Sequence, residues 1–221
     1  MGEAGDDREL LDSQIAYYRR RAHEYDVTSY GEDLEAARAR ITHVLDLLEP
    51  RGRVLEIACG TGMWTQELAD RTDLLVGVDA AAEAIVLARE RVPAGEAHLL
   101  VADVFEWKPA VRFDAVFMAF WLSHVPRSRW DAFFDRLGGW LLPGGRILIV
   151  DEHLGGQPAE RFVATGSDIA IRTLNDGSEH RLVKVYLDPP RLKAQLGVLG
   201  WDSESALDDG WVAVSARRRV Q

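Results

Sequence analysis

Apolar residues recur every third or fourth position over residues 10–26, at Leu11, Ile15, Tyr18, Ala22 and Tyr25. They do so again over 34–48, at Leu34, Ala37, Ile41, Val44, Leu45 and Leu48, before Pro50 closes the run. That spacing puts each set on one helical face, so two helices are predicted ahead of any strand. From Arg53 the pattern changes to short apolar runs at 54–57, 74–78, 97–101, 113–119 and 146–150. Helical stretches at 63–70, 82–91 and about 128–138 separate them. Strands alternating with helices predict parallel pairing through right-handed crossovers. After Asp151 the rhythm breaks. Gly155-Gly156-Gln157-Pro158 reads as a flexible joint, and residues 169–174 and 181–187 read as a hairpin about Asn175-Asp176-Gly177-Ser178. A short helix at 189–199 and a last strand at 211–216, free to run antiparallel, complete the chain. With no repeats and no true linker, residues 1–221 read as one α/β domain. In it, helices in 1–50 cover the ligand edge of a core at 51–221.

Composition narrows the partners. The 221 residues are 47% hydrophobic with seven Trp, enough for a sizeable core. A formal charge of −10 repels phosphate backbones, which argues against nucleic-acid binding. Arg19-Arg20-Arg21 falls on a predicted helix, and Arg217-Arg218-Arg219 reads as a solvated chain end. Cys59, the single cysteine, excludes an intrachain disulfide and suits a reducing compartment. The acidic start Met1 to Asp7 lacks the apolar stretch of a secretory signal, and no run approaches a membrane span. The expectation is a cytoplasmic protein that meets small molecules.

The most informative run is Val54-Leu55-Glu56-Ile57-Ala58-Cys59-Gly60-Thr61-Gly62, a strand that opens into a small-residue turn. A second run, Leu74-Leu75-Val76-Gly77-Val78, ends in Asp79. A strand delivering a glycine turn beside a strand delivering an acid is how an open α/β sheet holds an adenosine nucleoside. Helix N-capping is the competing role for Asp79, and for Asp103 after the third strand. The glycine turn beside them favours the ligand. A dinucleotide fingerprint wants a third glycine after Gly60 and Gly62, and the chain has Met63-Trp64-Thr65 there. Trp64 is expected to obstruct a pyrophosphate, and Glu56 suits a ligand bearing an ammonium.

Glu56-Ile57-Ala58-Cys59-Gly60-Thr61-Gly62 resembles motif I of the class I S-adenosylmethionine-dependent methyltransferases, with Ala58 where the first glycine is usual. The resemblance continues through Val78-Asp79-Ala80, Ala102-Asp103-Val104 and Leu142-Pro143-Gly144-Gly145. Tyr17-Tyr18 to Tyr25-Asp26 looks like the entry helix of the small-molecule members. It implies a Rossmann-like, seven-stranded, mostly parallel sheet with an antiparallel last strand, helices on both faces and two extra N-terminal helices. The implied cofactor is S-adenosylmethionine. Gly60, Thr61, Gly62 and Ala58 would cradle its methionine, Glu56 its ammonium, and Asp79 with Ala80 its ribose. Asp103 and Val104 would take the adenine, Ala119 the path to the methyl group, and Tyr18 and Tyr25 the cover.

At the transfer end, His124 in Phe120-Trp121-Leu122-Ser123-His124 and His153 in Asp151-Glu152-His153 are candidate bases for a hydroxyl acceptor. Loop hydrogen bonding is the competing role for His124. Among the aromatic residues Trp64, Phe120, Trp121, Trp130 and Phe162, the pocket wall is assigned to Phe120 and Trp121, and Trp130 to a helix core. Arg172 is the candidate for contact with the acceptor, and ordinary hairpin surface is its alternative. Asp188-Pro189-Pro190 reads as a helix start. Adjacent Asp151, Glu152 and His153 alternate faces, so no metal is expected. The reading is methyl transfer to a small molecule, such as a hydroxyl of an aromatic secondary metabolite. Nitrogen or carbon acceptors, a nicotinamide oxidoreductase and a non-catalytic binding partner are the alternatives.

Overall fold

The computed structural model describes residues 3–153, 155, 160–208 and 210–219, with side chains from residue 8 onward. Helix α1 (Glu3–Arg21) is followed by a 3-10 turn at Ala22–Glu24, then α2 (Tyr25–Tyr30) and α3 (Leu34–Leu48). Strands and helices then alternate as β1 (Arg53–Ile57), α4 (Met63–Ala69), β2 (Leu74–Asp79), α5 (Ala82–Arg91), β3 (His98–Val101) and β4 (Phe113–Ala119). There follow α6 (Trp130–Trp140), β5 (Leu141–Glu152), β6 (Ile169–Thr173), β7 (Glu179–Val183), α7 (Pro189–Val198), β8 (Trp201–Asp208) and β9 (Trp211–Arg218).

Seven strands form one sheet in the order β3-β2-β1-β4-β5-β9-β8. The first five pair in parallel, and β9 runs antiparallel to both of its neighbours. Alternation along the central strands divides the core between two faces. On β4 and β5, Val116, Met118, Ile147 and Ile149 pack beneath α6 and α7. Ala115, Phe117, Leu148 and Val150 instead pack beneath α3 and α4. A strand buried on both faces is apolar at nearly every position, hence the short apolar runs in the sequence, with Glu56 of β1 the buried exception.

Several details refine the sequence reading. The predicted helix at 10–26 divides, because the chain tightens at Ala22–Glu24 and turns Tyr25 and Asp26 inward. Only the first of the two predicted N-terminal helices lies on the ligand edge, since α3 packs on a sheet face against α4 and β9. The predicted hairpin is present as β6–β7, which forms a two-stranded sheet apart from the main one, is bridged at Phe162–Ala170 and packs against α1. The sixth strand of the main sheet is β8, unforeseen because Asp202, Glu204 and Ser205 face solvent on an edge that needs few apolar residues. In addition, Arg217 and Arg218 belong to β9, and Arg218 and Arg219 pair with Asp135 and Asp202. The expected joint at Gly156-Gln157-Pro158 lies outside the described residues. Asp188 caps α7 by accepting from the Arg191 N–H, as the Pro-Pro start predicted.

Candidate active site

Between β1 and β4 the strand order reverses, so the loops after them diverge and leave a crevice at the carboxyl edge of the sheet. A cleft of about 920 Å³, solvent side included, opens there. One wall is Ala58, Gly60 and Thr61, and beside them stand Asp79, Ala80, Asp103 and Val104. The other end is Ala119, Phe120, Trp121 and His124, with Tyr18 and Tyr25 from the N-terminal helices as cover.

The glycine turn is built from left-handed backbone. Ala58, Gly60 and Gly62 have φ of 52°, 56° and 85°. A Cβ on Gly62 would come within 3.1 Å of Ala88 on α5, so this glycine sets helix packing and does not line the cleft. Gly60 differs: nothing stands within 4 Å of where its Cβ would be, and that open side is a place a ligand can approach. Phe120, at the end of β4, also has a φ of 51°. Two non-glycine residues in this sparsely populated region, both on the cleft wall, mark backbone held in place by its surroundings.

Asp79 is buried, which raises its pKa, and backbone hydrogen bonds oppose that rise. Its Oδ2 accepts from Gly60 N–H at 2.9 Å and its Oδ1 from Ala81 N–H at 2.7 Å. Each oxygen keeps lone-pair capacity for a ligand hydroxyl. The N-cap of α5 is Ala81, not Asp79. Asp103 accepts from Phe105 N–H at 2.9 Å through Oδ1. Glu56 lies behind the turn rather than on the cleft wall. It is 2% exposed, its Oε2 has no hydrogen-bond partner, and burial pushes its pKa up to about 8.

The cover is tied down by residues the sequence did not single out. Asp26 of α2 accepts from Arg91 Nη2 and from Thr61 Oγ1, both at 2.5 Å, while Arg91 Nη1 donates to the Thr61 carbonyl at 2.6 Å. Gln14 of α1 donates to the His124 carbonyl and accepts from Val183 N–H, each at 3.0 Å. A glutamine interrupting the apolar face of α1 was the available signal for this clamp.

At the far end His124 is almost fully buried. Its Nδ1 lies 2.6 Å from the Val183 carbonyl, which can only accept, so Nδ1 carries the proton. Nε2 is then an acceptor, and the Tyr18 hydroxyl donates to it at 2.9 Å. Burial, reinforced by Lys184, Arg172 and Arg21, holds the His124 pKa well below its ordinary value, so the ring is neutral. Its turn is anchored by Asp151, whose Oδ2 accepts from Ser123 N–H at 2.9 Å. Burial raises the Asp151 pKa to about 6, against the opposing pull of Lys184.

Several expected site residues stand elsewhere. His153 does not line the cleft, and its Nδ1 accepts from Gly155 N–H at 3.0 Å. The Arg172 guanidinium is bound by Glu160 and reaches the Tyr18 oxygen at 3.5 Å, one layer behind the wall. Trp64 packs against Phe117, Phe120 and Trp211 and donates to the Tyr30 hydroxyl at 3.0 Å. Its ring therefore faces the core and blocks no phosphate path. Phe162 belongs to the hairpin cluster with Tyr17, while Trp130 of α6 sits in the helix core as the sequence reading assigned it. Asp151, Glu152 and His153 diverge to Ser123, Lys184 and Gly155. Among the described residues no cluster of three or more metal-ligating side chains gathers, and no helix is long and apolar enough to cross a membrane.

Known proteins are similar to this chain. The methyltransferase domain family model matches residues 54–145. The probable thiol methyltransferase 2 of Arabidopsis thaliana is 30% identical over 133 residues, 55% of this chain and 58% of that protein. The dTDP-3-amino-3,6-dideoxy-alpha-D-glucopyranose N,N-dimethyltransferase of Streptomyces fradiae is 28% identical over 140 residues, 62% of this chain and 54% of that protein. The chain thus spans less than two thirds of the length of these curated relatives. A solved structure, the DhpI–SAH complex, superposes with a TM-score of 0.82 at 33% identity, covering 95% of this chain and 97% of that one. The DhpI–SAM–HEP complex gives 0.80 at 34% identity, with 94% and 97% covered.

Proposed function

Since the chain belongs to the class I S-adenosylmethionine-dependent methyltransferases, we propose that it transfers a methyl group to a hydroxyl of a small-molecule acceptor such as an aromatic secondary metabolite. The observation that carries the cofactor half is Gly60, open on its ligand side, beside an Asp79 carboxylate that keeps acceptor capacity on both oxygens. Asp79 would hold the ribose hydroxyls and Asp103 the adenine amino group, with Val104 N–H donating to the ring. The unpartnered Glu56 Oε2 supports a role toward the ammonium, directly or through water. When bound, S-adenosylmethionine supplies a methyl on a sulfonium: the acceptor's lone pair forms the new bond, the carbon–sulfur pair stays on sulfur, and a proton remains to be placed.

The chain's own work is alignment and exclusion of water. Phe120 and Trp121 form the apolar wall that orients the acceptor, and Tyr18 and Tyr25 close the cleft above it. A neutral imidazole and a phenol at that end favour an acceptor that must lose a proton, which is the reason for choosing oxygen over an amine. No residue described here calls for a metal in that step.

Calorimetry with S-adenosylhomocysteine and with NAD, followed by turnover on a panel of phenols and amines, tests the reading. Tight binding of the first ligand, none of the second, and labelled methyl on phenolic oxygen are expected. Binding of NAD, or transfer to amines alone, refutes it.

A further inference from the structure

The histidine that best suits a base cannot meet the acceptor with a free nitrogen. Nδ1 gives its proton to the Val183 carbonyl at 2.6 Å, and Nε2 is covered by the Tyr18 hydroxyl at 2.9 Å. Tyr18 itself lines the cleft. Its oxygen donates once, to His124, and accepts once, from Arg172 Nη1 at 3.5 Å. A phenolic oxygen has two lone pairs, so one remains for a donor in the cleft.

From this geometry we propose that Tyr18 and His124 form a two-residue proton relay, in which the Tyr18 hydroxyl meets the acceptor and His124 Nε2 receives the proton. This rests on the hydroxyl-acceptor reading above. As the acceptor oxygen becomes nucleophilic, its proton passes to Tyr18 Oη while the Tyr18 proton passes to Nε2. One proton leaves the acceptor and one enters the imidazole, so Tyr18 is a neutral phenol before and after. Burial disfavours a free phenolate at Tyr18 and raises its pKa, so the two transfers are coupled rather than sequential. Burial, reinforced by Lys184, Arg172 and Arg21, lowers the His124 pKa, so the ring is neutral and able to accept when the acceptor arrives.

The surroundings hold both partners in register. Gln14 bridges the His124 carbonyl and the Val183 N–H, so the helix that carries Tyr18 and the strand that fixes Nδ1 are locked to the same turn. The Tyr18 ring also meets the His124 ring edge-on, with centroids 5.5 Å apart. Tyr18→Phe keeps that packing and removes only the hydroxyl.

Two measurements test the relay. Histidine nitrogen NMR of the complex with S-adenosylhomocysteine should show His124 protonated at Nδ1 and bare at Nε2, with the Nε2 resonance shifting in Tyr18→Phe. The opposite tautomer, or no shift, overturns the proposal. In turnover, Tyr18→Phe should lower kcat roughly 10²–10⁴-fold, the range for loss of general-base catalysis, with S-adenosylhomocysteine affinity retained. Adding His124→Ala should then cost little more, because the two residues act as one unit. An undiminished rate in Tyr18→Phe, with the ligand still bound, overturns the relay alone. Failure of the wild-type protein to bind S-adenosylhomocysteine overturns the functional reading instead.

Discussion

The two ends of the cleft are made in different ways. The proposed cofactor end is assembled from the tips of three consecutive parallel strands, so Gly60, Asp79 and Asp103 arrive together whenever β1, β2 and β3 pair. The proposed acceptor end draws on α1, the turn after β4 and the hairpin, through Tyr18, His124 and Val183. Those residues share no strand register. They meet only because α1 packs on β7 and Gln14 clamps both. One end is a property of the sheet, whereas the other is a property of how separate pieces dock on it.

That contrast is sharpest at Asp79. Asp79→Ala should weaken S-adenosylhomocysteine binding by at least about 100-fold, since two hydrogen bonds to a charged group contribute about 1.5–3 kcal/mol each. Calorimetry beside a circular dichroism spectrum checks it, and unchanged affinity with an intact fold would remove Asp79 from the site. Asp26→Ala comes next. It cuts the tie between α2 and the glycine turn while leaving the sheet alone, and should speed ligand release about tenfold, roughly 1.4 kcal/mol. Stopped-flow displacement measures this, and an unaltered release rate would mean that the tie does not restrain the cover.

Glu56 gives a smaller effect whose sign depends on pH. In the folded protein its pKa is about 8, above the ordinary 4.5, so the unfolded chain ionises first. Its contribution to stability is therefore full below about 4.5 and falls as pH rises toward 8. Glu56→Gln should flatten that decline in ligand-free thermal melts while weakening S-adenosylhomocysteine binding several-fold. A Tm difference between wild type and Glu56→Gln that stays constant over this interval contradicts the buried-acid assignment. The smallest effect belongs to His153→Ala, which should leave turnover within about twofold because surface changes away from such features stay within about ±0.5 kcal/mol. A large loss of kcat there would relocate the base.

The same contrast explains what could be read in advance. The strands from β1 to β5, together with α3 and α5, were legible because both-face burial and helical spacing leave period signatures in a single stretch of chain. The residues proposed for the cofactor could be picked out because each stands at, or within three positions of, the end of such a strand. β8 was not, since an edge strand buries little and carries charges such as Asp202 and Glu204. Trp64 misled because its position in the turn motif suggested a ligand neighbour, whereas its helical phase pointed it into the core. Arg172 and His153 were chosen by residue type, and type alone does not say which way a side chain faces.

By itself, then, the sequence determined the parallel sheet, its glycine turn and the acids at its edge, because hydrophobic period and backbone conformation are local properties that nearby residues dictate. Only the tertiary structure decided that Tyr18 covers His124, that Asp26 ties the cover to the turn, and that His153 and Arg172 stand off the cleft. Those are contacts between segments far apart in the chain, and their formation depends on packing that no single stretch encodes.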